Sequence, residues 1–194
     1  MPEPTIYSRS PTLMAAGDTA LLVVDVQEKL IPLVFNHRQV VWNIRRLLDG
    51  AAVLGVPVLG TEQYPHGLGP TVTELAQRID RCDEKQAFSC LGCKETAEAL
   101  AALEVHKVLI VGIEAHVCVA QTGHDLLAAG YDVYLAVDAV GSRGRLDAET
   151  ALRRLDSAGA TLTTTEAALF EWCEVSGTPQ FKQISQLIKE PAPE

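Results

Sequence analysis

The chain has no apolar run close to the ~20 residues that a membrane-spanning helix requires. It also lacks clustered basic charge: 16 Lys and Arg stand against 25 Asp and Glu, for a formal net charge of −9. Nucleic acid and anionic membranes both call for a concentrated basic face, so neither is expected as a partner. The opening segment, MPEPTIYSRSPTL, contains no long apolar stretch and is poor in Arg, so it reads neither as a secretory signal nor as a transit peptide. The expected setting is cytoplasmic, and the five cysteines are then read as reduced thiols rather than a disulfide framework. No internal repeat and no low-complexity tract occurs. The absence of G-x-S-x-G disfavours a serine hydrolase of the usual α/β type.

What is present suits one domain. The 194 residues are 47% hydrophobic, enough to bury a core without disulfides. A single domain over 1–194 is expected, with a short N-terminal extension (about 1–17) and a C-terminal tail (about 178–194). TALLVVDVQ is a continuous apolar run, as in a parallel strand covered on both faces. A helix follows, with Asn36 as its cap, Gly55 as its stop, and Val40, Val41, Ile44, Leu47, Leu48 and Ala51 as its apolar stripe. VPVLGTEQ is a second strand, YPHGLGP a loop, TVTELAQRI a short helix and DEKQAFS an edge strand. KETAEALAAL, VCVAQTGHDLLAAG, RLDAETALRRLDSAG and EAALFEWCEV read as helices alternating with the strands HKVLIVGI, YDVYLAVDAV and ATLTTT; the tail supplies one more helix. This alternation predicts an α/β doubly wound six-stranded parallel sheet of order 3-2-1-4-5-6 with helices on both faces. In that Rossmann-like order the strand direction of travel reverses between strands one and four, and ligands bind at their carboxyl ends.

Asp25 ends strand one and Cys118 lies just beyond strand four, so two chemically able residues fall at the crevice. A helix N-terminus favours a thiolate, and a nearby cation, Lys85, adds to the effect. Asp25 is placed to take the thiol proton and return it to a leaving group. Backbone N–H groups near the helix start suit an oxyanion.

The segments LLVVDVQ, EKQAFS and VGIEAHVCVAQT, in that order, resemble the three signature segments of the isochorismatase-like, or cysteine hydrolase, superfamily. TEQYPHGLGPTVTEL, SRGRLDAETALRRL and PQFKQISQLIKEPAP further resemble the isochorismatase domain-containing subgroup. The resemblance implies a catalytic triad of Asp25, Lys85 and Cys118. It also implies a cis peptide between Ile113 and Glu114, and an oxyanion hole made by the backbone N–H groups of Glu114 and Cys118. On this view the role of Glu114 is largely a backbone one.

Nicotinamidases of this superfamily carry an Asp-x-His pair and further histidines that bind a metal. Glu62, Gln63 and His66 in TEQYPHG do not make a comparable ligand set, so no metal and no cofactor is expected. Retention of Cys118 points to acyl chemistry on a small amide or related carbonyl C–N compound, through a thioester. Gln27, Gln63, Tyr64, Phe88 and His116 are the candidate substrate contacts, with core packing the alternative for Tyr64 and Phe88 and a surface position the alternative for His116. Relatives imply a homo-oligomer. Two other classes stay open: a binding or assembly protein with a vestigial triad, and a thiol redox protein using Cys90 and Cys93 of CLGC.

Overall fold

The computed structural model describes residues 8–193. Its strands are β1 (Thr19–Val24), β2 (Val58–Gln63), β3 (Cys82–Lys85), β4 (Lys107–Ile113), β5 (Asp132–Gly141) and β6 (Thr161–Thr163). They form one parallel sheet in the order β3-β2-β1-β4-β5-β6, as the alternation of elements predicts. Every residue of β1 and β4 is buried, which is why these segments read as unbroken apolar runs.

Period-two alternation divides these strands between two cores. Leu21, Val23, Leu109 and Val111 face one side, packed against α1 (His37–Leu54), α7 (Thr165–Cys173) and α8 (Pro179–Ile188). Ala20, Leu22, Val24, Val108 and Ile110 face the other, with α4 (Lys94–Ala102), α5 (Ala120–Ala128) and α6 (Arg145–Ser157). Segments near both ends of the described residues pack onto the fold. Ile184 of α8 is fully buried against the first core. Near the N-terminus Met14 is fully buried, and the carbonyls of Thr12 and Leu13 accept hydrogen bonds from Tyr134 and Lys107.

Some local readings fail in the tertiary structure. Asn36 occupies the cap position of α1, but its side chain makes no capping bond. Its Oδ1 is directed towards the space beside Gly141 and has no hydrogen-bond partner among the described residues. Gly55 does end α1, in the left-handed conformation at φ 76°. The YPHGLGP loop contains a single helical turn, α2 (Pro65–Leu68), and the helix after it shrinks to α3 (Thr73–Ala76). The predicted edge strand stops at Lys85 because the chain then folds round the Lys85 ammonium, bringing the carbonyls of Ala87 and Phe88 within 3.3 and 3.0 Å of Nζ.

Gly112 sets how closely β4 can approach the end of β1. It has φ 116°, and a Cβ there would meet the Val24 carbonyl oxygen at 2.1 Å. Backbone cannot yield as a flexible side chain can. Gly112→Ala is therefore expected to destabilise the fold by about 3–5 kcal/mol. Gly130→Ala, also at positive φ but with nothing within 4 Å of the added Cβ, is expected to cost about 1 kcal/mol. Chemical denaturation of the two variants checks the difference.

Candidate active site

The reversal of strand order at β1/β4 opens the carboxyl end of the sheet, and the predicted residues gather there. Asp25 follows β1 directly and takes a left-handed backbone conformation, φ 52°. Lys85 ends β3. Their side chains are wholly hidden from solvent and joined by an ion pair, Nζ to Oδ2, of 2.7 Å. The other Asp25 oxygen accepts the Thr61 hydroxyl at 2.8 Å. The ammonium also donates to Gln63 Oε1 at 2.7 Å, besides the two carbonyls that follow β3. A buried charge persists only when paired and hydrogen-bonded, and here both partners are.

Cys118 lies beside the pair, its sulfur 4.0 Å from Gln63 Oε1. It does not stand in the first turn of an α-helix as the sequence suggested. Residues Ala115–Val119 form one turn of π-type helix before α5, because the Glu114 carbonyl accepts from Val119 N–H as well as Val117 N–H. The peptide bond Ile113–Glu114 that leads into this turn is cis.

Electrostatics also revise the activation argument. Burial first, then the charge and hydrogen bonding of Asp25, push the Cys118 thiol well above the ordinary cysteine range; Lys85 acts in the opposite sense and is outweighed. For Lys85 burial disfavours the charge, but Asp25 more than offsets it and holds the ammonium above the usual lysine range. The resting cluster is thus a neutral thiol beside a carboxylate–ammonium pair, not a preformed thiolate. A base has to remove the thiol proton, and Asp25 is the carboxylate in contact.

The candidate substrate contacts separate into two kinds. Gln63 touches both Lys85 and Cys118, and its Nε2 donates to the Gln86 carbonyl. Tyr64 and Phe88 are about half exposed, so neither is core packing. His116 is half-buried, with Nδ1 3.0 Å from Ser142 Oγ. Gln27 is the correction. It is fully buried, its amide donates to the carbonyls of Gln63 and Gly69, and its Oε1 accepts Gln63 N–H. With its polar atoms engaged inside the protein, it braces the end of β2 rather than meeting a substrate.

Sequence reasoning missed three contributors. Thr61 lies in β2 two residues before Gln63 and so on the same face, which was a readable signal. Arg143 and Ser142 left none. The Glu114 carboxylate accepts from both the backbone N–H and Nε of Arg143 at 3.1 and 3.0 Å, so its side chain ties the post-β5 segment to the turn that carries Cys118. The largely backbone role expected of Glu114 did not include this tie made by its side chain. Cys90 and Cys93 are free thiols turned to different partners, Cys90 to Thr61 and Cys93 to the Glu84 carbonyl and Glu95. A separate cavity of about 430 Å³ lies beside α1, lined by Ile31, Val41, Trp42 and Val72 among others, with no cysteine in its lining.

A doubly wound sheet with these residues at its switch point defines a class. The family model for the Isochorismatase domain matches residues 19–167, and the chain belongs to the isochorismatase-like hydrolase family. It is similar to isochorismatase domain-containing protein 2 of Danio rerio, 39% identical over 181 residues that cover 93% of this chain and 92% of that protein. Among solved structures it resembles the MAR1 ribonuclease from Caenorhabditis elegans, with a TM-score of 0.88 and 39% identity over 94% of this chain and 95% of that one. It also resembles YcaC from Pseudomonas aeruginosa, solved with hexane-2,5-diol and covalent acrylamide, with a TM-score of 0.85 and 25% identity over 93% of each chain.

Removing one member of the buried pair strands its partner's charge. Asp25→Asn and Lys85→Met are each expected to lower stability by about 3–5 kcal/mol, whereas the double variant should lose clearly less than the sum. Asn suits position 25 because it tolerates the left-handed backbone there. Urea titrations of all four proteins test this; additive losses would mean the two charges stabilise the fold independently.

Proposed function

We propose that the protein is a cysteine hydrolase that cleaves a small amide, or a related carbonyl C–N bond, through a thioester on Cys118. The observation that carries this reading is the convergence of Asp25, Lys85 and Cys118 at the switch point of the sheet. Asp25 removes the thiol proton as sulfur attacks the carbonyl carbon. Lys85 stays protonated and keeps the local charge balanced. The backbone N–H groups of Glu114 and Cys118 are assigned to the tetrahedral oxyanion. The C–N bond then breaks, with the Asp25 proton passing to the departing nitrogen. Water, deprotonated by Asp25, attacks the thioester; the acid leaves and the thiol is restored.

The upward shift of the thiol pKa supports the general-base role, since little thiolate exists at rest near neutral pH. The covalent acrylamide of the Pseudomonas relative is consistent with a nucleophile on this fold that captures amide-bearing electrophiles. The ribonuclease named for the worm protein is a property of that protein. A chain of net charge −9 is poorly matched to a polyanionic substrate.

The reaction so written uses no metal. Among the described residues no group of three or more His, Cys, Asp and Glu side chains is arranged to hold one. Glu62, the nearest acidic candidate, accepts from the N–H and hydroxyl of Thr71 at 2.6 and 2.7 Å. The redox alternative draws less support: burial first, then the charge of Asp25, pushes the Cys90 thiol up to about 11, and a reactive redox pair needs the opposite shift.

Acrylamide and iodoacetamide are the direct probes. Intact-mass and peptide analysis should find the adduct on Cys118 ahead of the other four cysteines, and Cys118→Ala should lose both the adduct and hydrolysis of any amide the wild type turns over. Full turnover by Cys118→Ala would overturn the covalent mechanism. Prolonged EDTA dialysis is expected to leave hydrolysis unchanged. Loss of rate that is restored by a divalent cation would replace this mechanism with a metal-assisted one.

A further inference from the structure

Thr61 holds the proposed base by two handles. Its hydroxyl donates to Asp25 Oδ1 at 2.8 Å, and its carbonyl accepts Asp25 N–H at 3.1 Å. Asp25 has left the regular path of β1 at φ 52°, so the ladder gives its side chain no further support. Thr61 is itself fixed by the central sheet, paired in register with Val24. Its β-branched side chain has few rotamers open to it in a strand.

A hydroxyl has a single proton, and that of Thr61 is committed to Asp25. The Cys90 sulfur, 3.5 Å from Thr61 Oγ1, is therefore the donor into the threonine oxygen. This assignment requires a protonated Cys90. Burial and the neighbouring Asp25 charge supply that condition, since they push its thiol up to about 11. Cys90 N–H in turn donates to Thr122 Oγ1 at 2.9 Å, on the helix that follows Cys118. A directed chain runs from Cys90 through Thr61 to Oδ1 of Asp25, while Lys85 holds Oδ2.

Resting on the hydrolase reading above, we propose that Thr61 is a positioning residue for Asp25, and that Cys90 serves the site by orienting the Thr61 hydroxyl rather than by redox chemistry. With one oxygen held by Thr61 and the other by Lys85, the carboxylate plane is set before substrate arrives. It receives the Cys118 proton and delivers it to the leaving nitrogen without rotating. The charged and titratable groups that bear on it are Lys85 and Cys82 from β3, Cys90 from the turn after β3, and Cys118 from the π-type turn.

The test needs no identified substrate. Iodoacetamide alkylation of Cys118 is followed by mass spectrometry over a pH series. Wild type, Thr61→Val, Thr61→Ser and Cys90→Ala are compared, with thermal unfolding measured alongside. Thr61→Val is nearly isosteric and β-branched, so the strand is retained while the donor is lost. Its maximal rate at Cys118 should fall about ten- to a hundredfold, the factor that one hydrogen bond to a charged group is worth. The pH dependence of its alkylation should also differ from wild type, because the carboxylate has lost one of its two side-chain hydrogen-bond partners. Thr61→Ser should restore the profile, and Cys90→Ala should produce a smaller loss in the same direction. A Thr61→Val protein that unfolds earlier but alkylates with the wild-type profile would show a structural role alone and overturn the proposal. If wild-type Cys118 reacts no faster than the partly exposed Cys173, the hydrolase reading fails and the positioning role falls with it.

Discussion

The ion pair between Asp25 and Lys85 is the constraint on which the site depends. Both side chains are completely removed from water, and two such charges persist only because every exposed face of the pair finds a partner. Thr61 supplies one donor to the carboxylate, while Gln63 and two consecutive carbonyls accept from the ammonium. The course of the chain follows from this demand. The edge strand ends at Lys85 so that the next carbonyls can turn back on it, and that turn brings Phe88 to the exposed rim. Gln27 is spent on holding the end of β2, the strand that presents Thr61 and Gln63 on one face.

The same pair decides the state of the thiol. A nearby ammonium alone would favour a thiolate, but its charge is already balanced by Asp25, and burial adds to the cost of a further anion. The outcome is a thiol held neutral beside a buried carboxylate–ammonium pair. In the proposed reaction that arrangement suits acyl transfer, in which one carboxylate must both take a proton from sulfur and return it to nitrogen. The π-type turn contributes position rather than charge. It carries Cys118 beside the pair, and the Glu114–Arg143 contact ties its start to the segment after β5.

Much of the fold is legible because parallel sheets depend on local pattern. Fully apolar runs at β1 and β4 can exist only with helices on both faces, and the alternation with amphipathic helices leaves few ways to order the strands. That ordering put Asp25 and Cys118 at one crevice before any geometry was known. Features that failed to read were those in which a side chain serves a distant partner. Asn36, by contrast, has the composition of a cap, yet its side chain makes no capping bond and its Oδ1 finds no partner among the described residues. Glu114 looked like a backbone position, and its carboxylate anchors a segment 29 residues further along.

The sequence alone therefore determined the architecture and which polar groups meet at the switch point, since periodicity and residue chemistry are properties of short segments. Tertiary structure decided their state and their company. Lys85 meets Asp25 across 60 residues of chain, and Cys90 reaches Thr61 across 29. Whether a thiol rests neutral or ionised depends on burial and on the sum of neighbouring charges, and those are fixed only when distant strands come together at one end of the sheet.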